Sequence, residues 1–217
     1  VLNHKIHRGC KDEEKISTTD VLASLLGGSP LDSFMEQTRR ILLVGEIDEL
    51  MATSINTQLQ YFATTKKPVY IYISSPGGNL TDGYAIIDQM ELSPFPIYTI
   101  VRGQAHSMAA IIAAYGTKGC RYITPHSSMM LHSVMLELSS DSIERQQEAF
   151  LFAQDSYKKL VKELASHARL DIKRLDELLT QTRWMSAKQT IQLGIIDKIW
   201  TPQMECKVNQ LAVEGNN

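Results

Sequence analysis

From about residue 39 onward, apolar and polar positions follow one another in regular blocks along the chain. RILLVG (40–45) is a short apolar run closed by glycine and predicts a buried strand. EIDELMATSINTQLQYFATT (46–65) follows at helical period, with Leu50, Ile55, Leu59 and Phe62 on one side. PVYIYIS (68–74) is β-branched and aromatic and predicts the next strand. TDGYAIIDQMELS (81–93) predicts a helix capped by Thr81 or Asp82. PIYTIV (96–101) and SMAAIIAAYG (107–116) repeat the strand–helix order. CRYIT (120–124) and SMMLHSVML (128–136) predict two more strands, and residues 140–169 one long helix with Ser140 as cap. DIKRLDELLTQ and SAKQTIQLG predict shorter helices, and DKIWTP a closing strand. This alternation predicts an α/β fold, a parallel sheet of repeated βαβ units with covering helices. Residues 1–35, polar and broken by Gly-Gly-Ser-Pro at 27–30, are expected to form a flexible arm. Residues 36–200 make the main domain and 201–217 a C-terminal tail.

Composition narrows the function classes. The formal net charge of −2 gives no reason to expect nucleic acid or an anionic membrane as partner. No run of eighteen apolar residues occurs, so no spanning helix is expected. The first fifteen residues, VLNHKIHRGCKDEEK, hold no apolar core of the secretory type. Three widely spaced cysteines without a CxxC, and six histidines without HExxH spacing, predict no metal site and a reducing compartment. A GxxxxGK[ST] loop is absent, so no cofactor is expected and ATP hydrolysis is not assigned to this chain.

Three short stretches carry candidate chemistry. SSPGG (74–78) follows an apolar strand; it is a tight turn, or a loop in which Gly77 and Gly78 bring backbone N–H groups close to a ligand. GQAHSMA (103–109) sets Ser107 where a strand passes into a helix. There the serine is either an N-cap or a nucleophile, and the unpaired N–H of Met108 at the positive helix end suits an oxyanion. His106 adjoins it, but neighbouring side chains diverge at such a corner, so it reads as packing or lining rather than as base. His132, in SMMLHSVML, is either a core histidine or the base that a serine nucleophile needs.

Taken together, SPGG, GQAHSMA with Ser107 29 residues after Gly78, and MMLH with His132 25 residues after Ser107 closely resemble the ClpP family, the proteolytic subunits of the Clp protease. The resemblance extends through AAYGTKGCRYITPHS (113–127) and WMSAKQTIQLGIIDKI (184–199). It implies a ClpP/crotonase-like fold with a projecting helical handle at 140–169. It further implies Ser107 as nucleophile, His132 as general base, and the Gly78 and Met108 N–H groups as oxyanion hole. Implied partners are unfolded polypeptides, a hexameric AAA+ unfoldase, and further subunits, identical or paralogous, in two stacked heptameric rings. The implied location is the cytoplasm, or an organelle matrix or stroma.

The chain departs from the family pattern at three places. The triad aspartate position holds Thr182, although the arginine that follows is kept as Arg183. SVMLELSSDS (133–142) replaces a Gln-Pro and glycine-rich stretch, and His106 replaces a small residue. A threonine hydroxyl can accept the imidazole N–H but carries no charge. The expected activity is therefore that of a weak or latent serine endopeptidase, with Asp171, Asp176 and Glu177 as candidate stand-ins. A non-catalytic ring subunit is the alternative, and an acyl-CoA enzyme of the crotonase type a third reading.

Overall fold

The computed structural model describes residues 30–133, 142–168, 170–180 and 182–214. Its elements run α1 (Pro30–Gln37), β1 (Arg40–Val44), α2 (Glu49–Phe62), β2 (Val69–Ser75), α3 (Leu80–Leu92), β3 (Ile97–His106), α4 (Met108–Ala114), β4 (Arg121–Ile123) and β5 (Ser128–Leu131). After these come α5 (Ile143–His167), α6 (Ile172–Thr180), β6 (Arg183–Ser186), α7 (Ala187–Gln192), β7 (Lys198–Ile199) and α8 (Pro202–Glu214). The fold is mixed α/β. Strands β1, β2, β3, β4 and β7 are parallel neighbours in that order, while β5 branches from β3 and pairs antiparallel with β6.

The parallel strands are apolar almost throughout because helices cover them. Six of the seven residues of β2, Val69 to Ile73 and Ser75, are buried, so both faces of the strand are covered. One face packs Ile41, Leu43, Ile71 and Ile73 against α2, α3 and α4. The other carries Tyr70, Tyr72, Ile100, Tyr122 and Trp200, and α8 closes part of it through Val208. A polar hub holds α8 there: Glu205 accepts from Trp200 Nε1 at 2.7 Å and pairs with Arg40 at 3.1 Å and Arg102 at 2.5 Å.

α1 begins at residue 30, within the expected arm, and α8 lies within the expected tail, where Val208 packs on the sheet. Other expectations need correction. Leu50 is 79% exposed; Ala52 takes its place on the buried side of α2, because 52, 55, 59 and 62 fall at helical spacing and Leu50, five residues before Ile55, does not. The cap of α3 is Asn79, whose side chain accepts from Thr81 N and Asp82 N. Ser142 caps α5, and Ser140 lies outside the described residues. The strand expected at 128–136 ends at Leu131, and residues 134–136 lie outside the described residues. Along α5, Leu160, Val161 and Leu164 enter the core, whereas Phe150, Leu151 and Phe152 are exposed. The first half of the helix therefore stands clear of its own core.

One buried ion pair ties the late elements together. Arg121 on β4 donates from Nη2 to Asp197 Oδ1 at 2.7 Å and from Nε to Oδ2 at 2.9 Å. Its Nη1 donates to the carbonyl of His167, at the end of α5, at 2.7 Å.

Candidate active site

The corner at Ser107 is built by β3 running directly into α4. Ser107 has φ 52° and ψ −125°, a positive-φ conformation that costs a non-glycine residue on the order of 1–3 kcal/mol. Surrounding bonds hold it there. Ser107 N donates to Met130 O at 2.8 Å, and Ser107 O accepts from Ala110 N at 3.0 Å. The hydroxyl makes no capping bond to α4, so the N-cap reading of Ser107 describes its position and not its side chain.

The SPGG loop presses against this corner. A Cβ on Gly77 would lie 2.7 Å from both the His106 carbonyl and the Ser107 Cβ, and 3.2 Å from Met108 N. A Cβ on Gly78 would lie 2.2 Å from the Ile47 carbonyl. Only glycine permits this approach, at φ 97° and 155° respectively. Ile47 N donates to Gly77 O and Asn79 N to Ile47 O, which leaves the Gly78 N–H out of that bridge. Among the described residues, neither Gly78 N nor Met108 N meets a backbone acceptor outside regular elements. The Met108 N–H thus opens α4 directly after the serine, and the loop that carries the Gly78 N–H touches the corner through Gly77.

Strand register arranges the side chains in rows. His106 pairs with Met130, and Met130 with Trp184. Ala105, Met129 and Met185 form the preceding row and are buried in the core. Continuing β5–β6 one step beyond Leu131 and Arg183 sets His132 opposite Thr182, on the face that carries Met130 and Trp184. His132 lies one residue past β5 and is half-buried; Thr182 is exposed. His132 Nδ1 lies 2.5 Å from the Ser133 carbonyl. A carbonyl only accepts, so Nδ1 carries the proton there and Nε2 keeps the free lone pair. Among the described residues no hydrogen bond joins Ser107 to His132, or His132 to Thr182.

The proposed carboxylate stand-ins have other partners. Asp171 accepts from Arg174 N at 2.9 Å, Asp176 from Tyr157 OH at 2.6 Å, and Glu177 from Arg174 Nη1 at 2.9 Å. No carboxylate occurs on β3, β4, β5, β6 or α4. His106 packs, as expected from its position: it is 8% exposed, with its ring 4.6 Å from that of Trp184. The sequence reading missed β6 as a strand and with it the place of Trp184. The only signal was the alternation of buried Met185 between exposed Trp184 and Ser186, too short to register.

Among the described residues, no group of three or more His, Cys, Asp or Glu side chains is placed to hold a metal, and no helix is long and apolar enough to cross a membrane.

The Clp protease family model matches residues 30–203. An ATP-dependent Clp protease proteolytic subunit of Streptococcus uberis is 34% identical over 166 residues, 74% of this chain and 84% of the relative. Proteins of the same description from Streptococcus pyogenes serotypes M5 and M1 match to the same extent. The chain belongs to the Clp protease family of serine-type endopeptidases, as one of its proteolytic subunits.

Proposed function

We propose that Ser107 is the nucleophile of this subunit, that His132 is its general base, and that Gly78 N–H and Met108 N–H form its oxyanion hole. The observation that carries the reading is the uncapped Ser107 hydroxyl, on a strained strand-to-helix corner against which the Gly77–Gly78 loop is packed through Gly77. Ser107 Oγ attacks the scissile carbonyl while His132 Nε2 takes its proton. The carbonyl oxygen gains negative charge and is stabilised by the two N–H groups. His132 then returns the proton to the leaving amine, and water hydrolyses the acyl-enzyme by the same route. Support for the base comes from strand order: β5 pairs with β3 up to His106, and His132 follows β5 by one residue.

The substrates we assign are unfolded polypeptides fed by an AAA+ unfoldase, in a chamber of two stacked heptameric rings, homomeric or mixed. The head domain follows the ClpP/crotonase-like pattern, with α5 as the projecting handle. Exposed Phe150, Leu151 and Phe152 give α5 an apolar side suited to another subunit. We place the protein in the cytoplasm or in an organelle matrix or stroma. Native mass measurement with peptide hydrolysis tests this reading: a ring that cleaves supports it, and a monodisperse monomer at micromolar concentration refutes it. That no carboxylate stands beside His132 among the described residues favours one second reading, a ring subunit without catalysis; it predicts assembly with no hydrolysis.

Thr182→Asp is expected to raise small-peptide turnover about tenfold, less than the full worth of a triad aspartate near 10⁴. Opposite His132, a carboxylate would stabilise the imidazolium that forms as Ser107 attacks, and would shift the acid limb of activity to higher pH. Turnover against pH in both proteins checks it. An assembled variant no faster at any pH shows that the Ser133 carbonyl, and not residue 182, orients the base.

A further inference from the structure

A ring contact spans the strand that separates the serine corner from β6. Each step between paired strands is about 4.8 Å, so β3 and β6, with β5 between them, lie about 10 Å apart. Across that gap the His106 ring meets the Trp184 ring edge-on, 4.6 Å between centroids and 75° between planes. His106 Nε2 also lies 3.4 Å from Ser128 Oγ on β5. One buried side chain therefore touches both other strands of the site. It directly precedes Ser107, and its partner Trp184 stands two residues beyond Thr182.

We propose that His106 is a proton-sensitive positioning residue: neutral, its ring locks the Ser107 corner to β5 and β6, and protonated, it opposes the positive charge that His132 acquires as Ser107 attacks. The inference rests on the peptidase reading of Ser107 and His132. By strand geometry His106 and His132 lie on one face, one strand and two residues apart, roughly 8 Å between Cα atoms. The titratable groups on the surrounding elements are sparse. β3 carries Tyr98 and Arg102 besides His106, β6 carries Arg183, and β5, α4 and the SPGG loop carry none. No anion on these elements offsets a second cation, so a charge on His106 would be felt at His132. Burial holds the His106 imidazole below its ordinary value, which favours its neutral form.

The test follows Ser107 labelling by a fluorophosphonate between pH 8 and 5.5, in the full chain and in His106→Gln and His106→Ala. Glutamine keeps a hydrogen bond to Ser128 but does not titrate; alanine removes ring and bond together. The wild-type rate is expected to fall about threefold further across this range than that of His106→Gln, because His106 can gain a charge and glutamine cannot. His106→Ala is expected to label about threefold more slowly than His106→Gln at pH 8. Tryptophan emission gives an independent readout. A component quenched with a midpoint below about 6.5 should be present in the wild type and lost in both His106→Gln and Trp184→Phe. The same pH dependence in wild type and His106→Gln, or emission that does not titrate, overturns the proposal while leaving the peptidase reading intact. Absence of Ser107 labelling at every pH overturns the peptidase reading itself, and the proposal falls with it.

Discussion

Replacing Ser107 with alanine is expected to lower small-peptide cleavage about a hundredfold and to leave the fold intact. In serine peptidases loss of the nucleophile removes on the order of 10⁶ in turnover, and loss of the acidic partner alone about 10⁴. Such effects are not additive, because the members act as one unit. With threonine rather than aspartate at residue 182, about 10² is left for the nucleophile to contribute. The structural cost is small. The Ser107 hydroxyl makes no capping bond, so a cap-loss penalty does not apply and the change should cost about 0.5 kcal/mol or less. Alanine suffers the same positive-φ strain as serine. Cleavage rates and melting temperature, measured side by side, separate lost chemistry from lost structure. Unchanged cleavage with an unchanged melting temperature would remove Ser107 from the mechanism.

Asp197→Ala is expected to have the largest effect on stability, about 3–5 kcal/mol. The substitution leaves the Arg121 guanidinium, 1% exposed, without its counter-ion. It also orphans Gly119 N and Arg121 N, which donate to Asp197 Oδ2 at 2.8 and 3.1 Å. For a chain of this length the melting temperature should drop by roughly 10 °C. A double variant, Arg121→Met with Asp197→Ala, should recover part of the loss, because no buried charge is then left alone. The pair also sets a pH dependence. Burial alone would raise the Asp197 carboxyl, but the Arg121 hydrogen bonds and charge, with the backbone N–H donors, hold it below its ordinary value. A folded-state value below the unfolded one means stabilisation that is complete above the free carboxylate range near pH 4. It is lost as pH falls through the depressed folded value. Wild type should therefore lose stability on acidification more steeply than Asp197→Ala. Parallel acid-unfolding curves would show that the pair contributes nothing through linkage.

Much of the architecture was legible because burial leaves a period in the sequence. PVYIYIS is a continuous apolar run, as a strand buried on both faces requires, whereas RILLVG buries Ile41 and Leu43 and leaves Leu42 and Val44 exposed; α2 and α3 carry helical periods. The strand-to-helix corner at Ser107 and the strand before His132 were legible through spacing and context, not through composition. Short or partner-dependent elements were not. β6 has four residues, and its position was hidden by the helix that follows it. α8 has weak amphipathicity of its own and is fixed by Glu205 reaching Arg40, Arg102 and Trp200. The Arg121–Asp197 pair joins residues 76 apart, and no local pattern marks such a partner. The contact of His106 with Trp184 depends on three strands whose register is set only in the folded state.

The central claim, that Ser107 is a nucleophile activated by His132, is tested most directly by mapping the adduct of a fluorophosphonate on the native assembly. Mass measurement of the intact subunit followed by peptide mapping is expected to find one adduct, on Ser107, its formation slowed in His132→Ala at pH 8 by at least about tenfold. No adduct on Ser107 in a protein that cleaves peptides, or an adduct formed as fast without His132, would contradict the account.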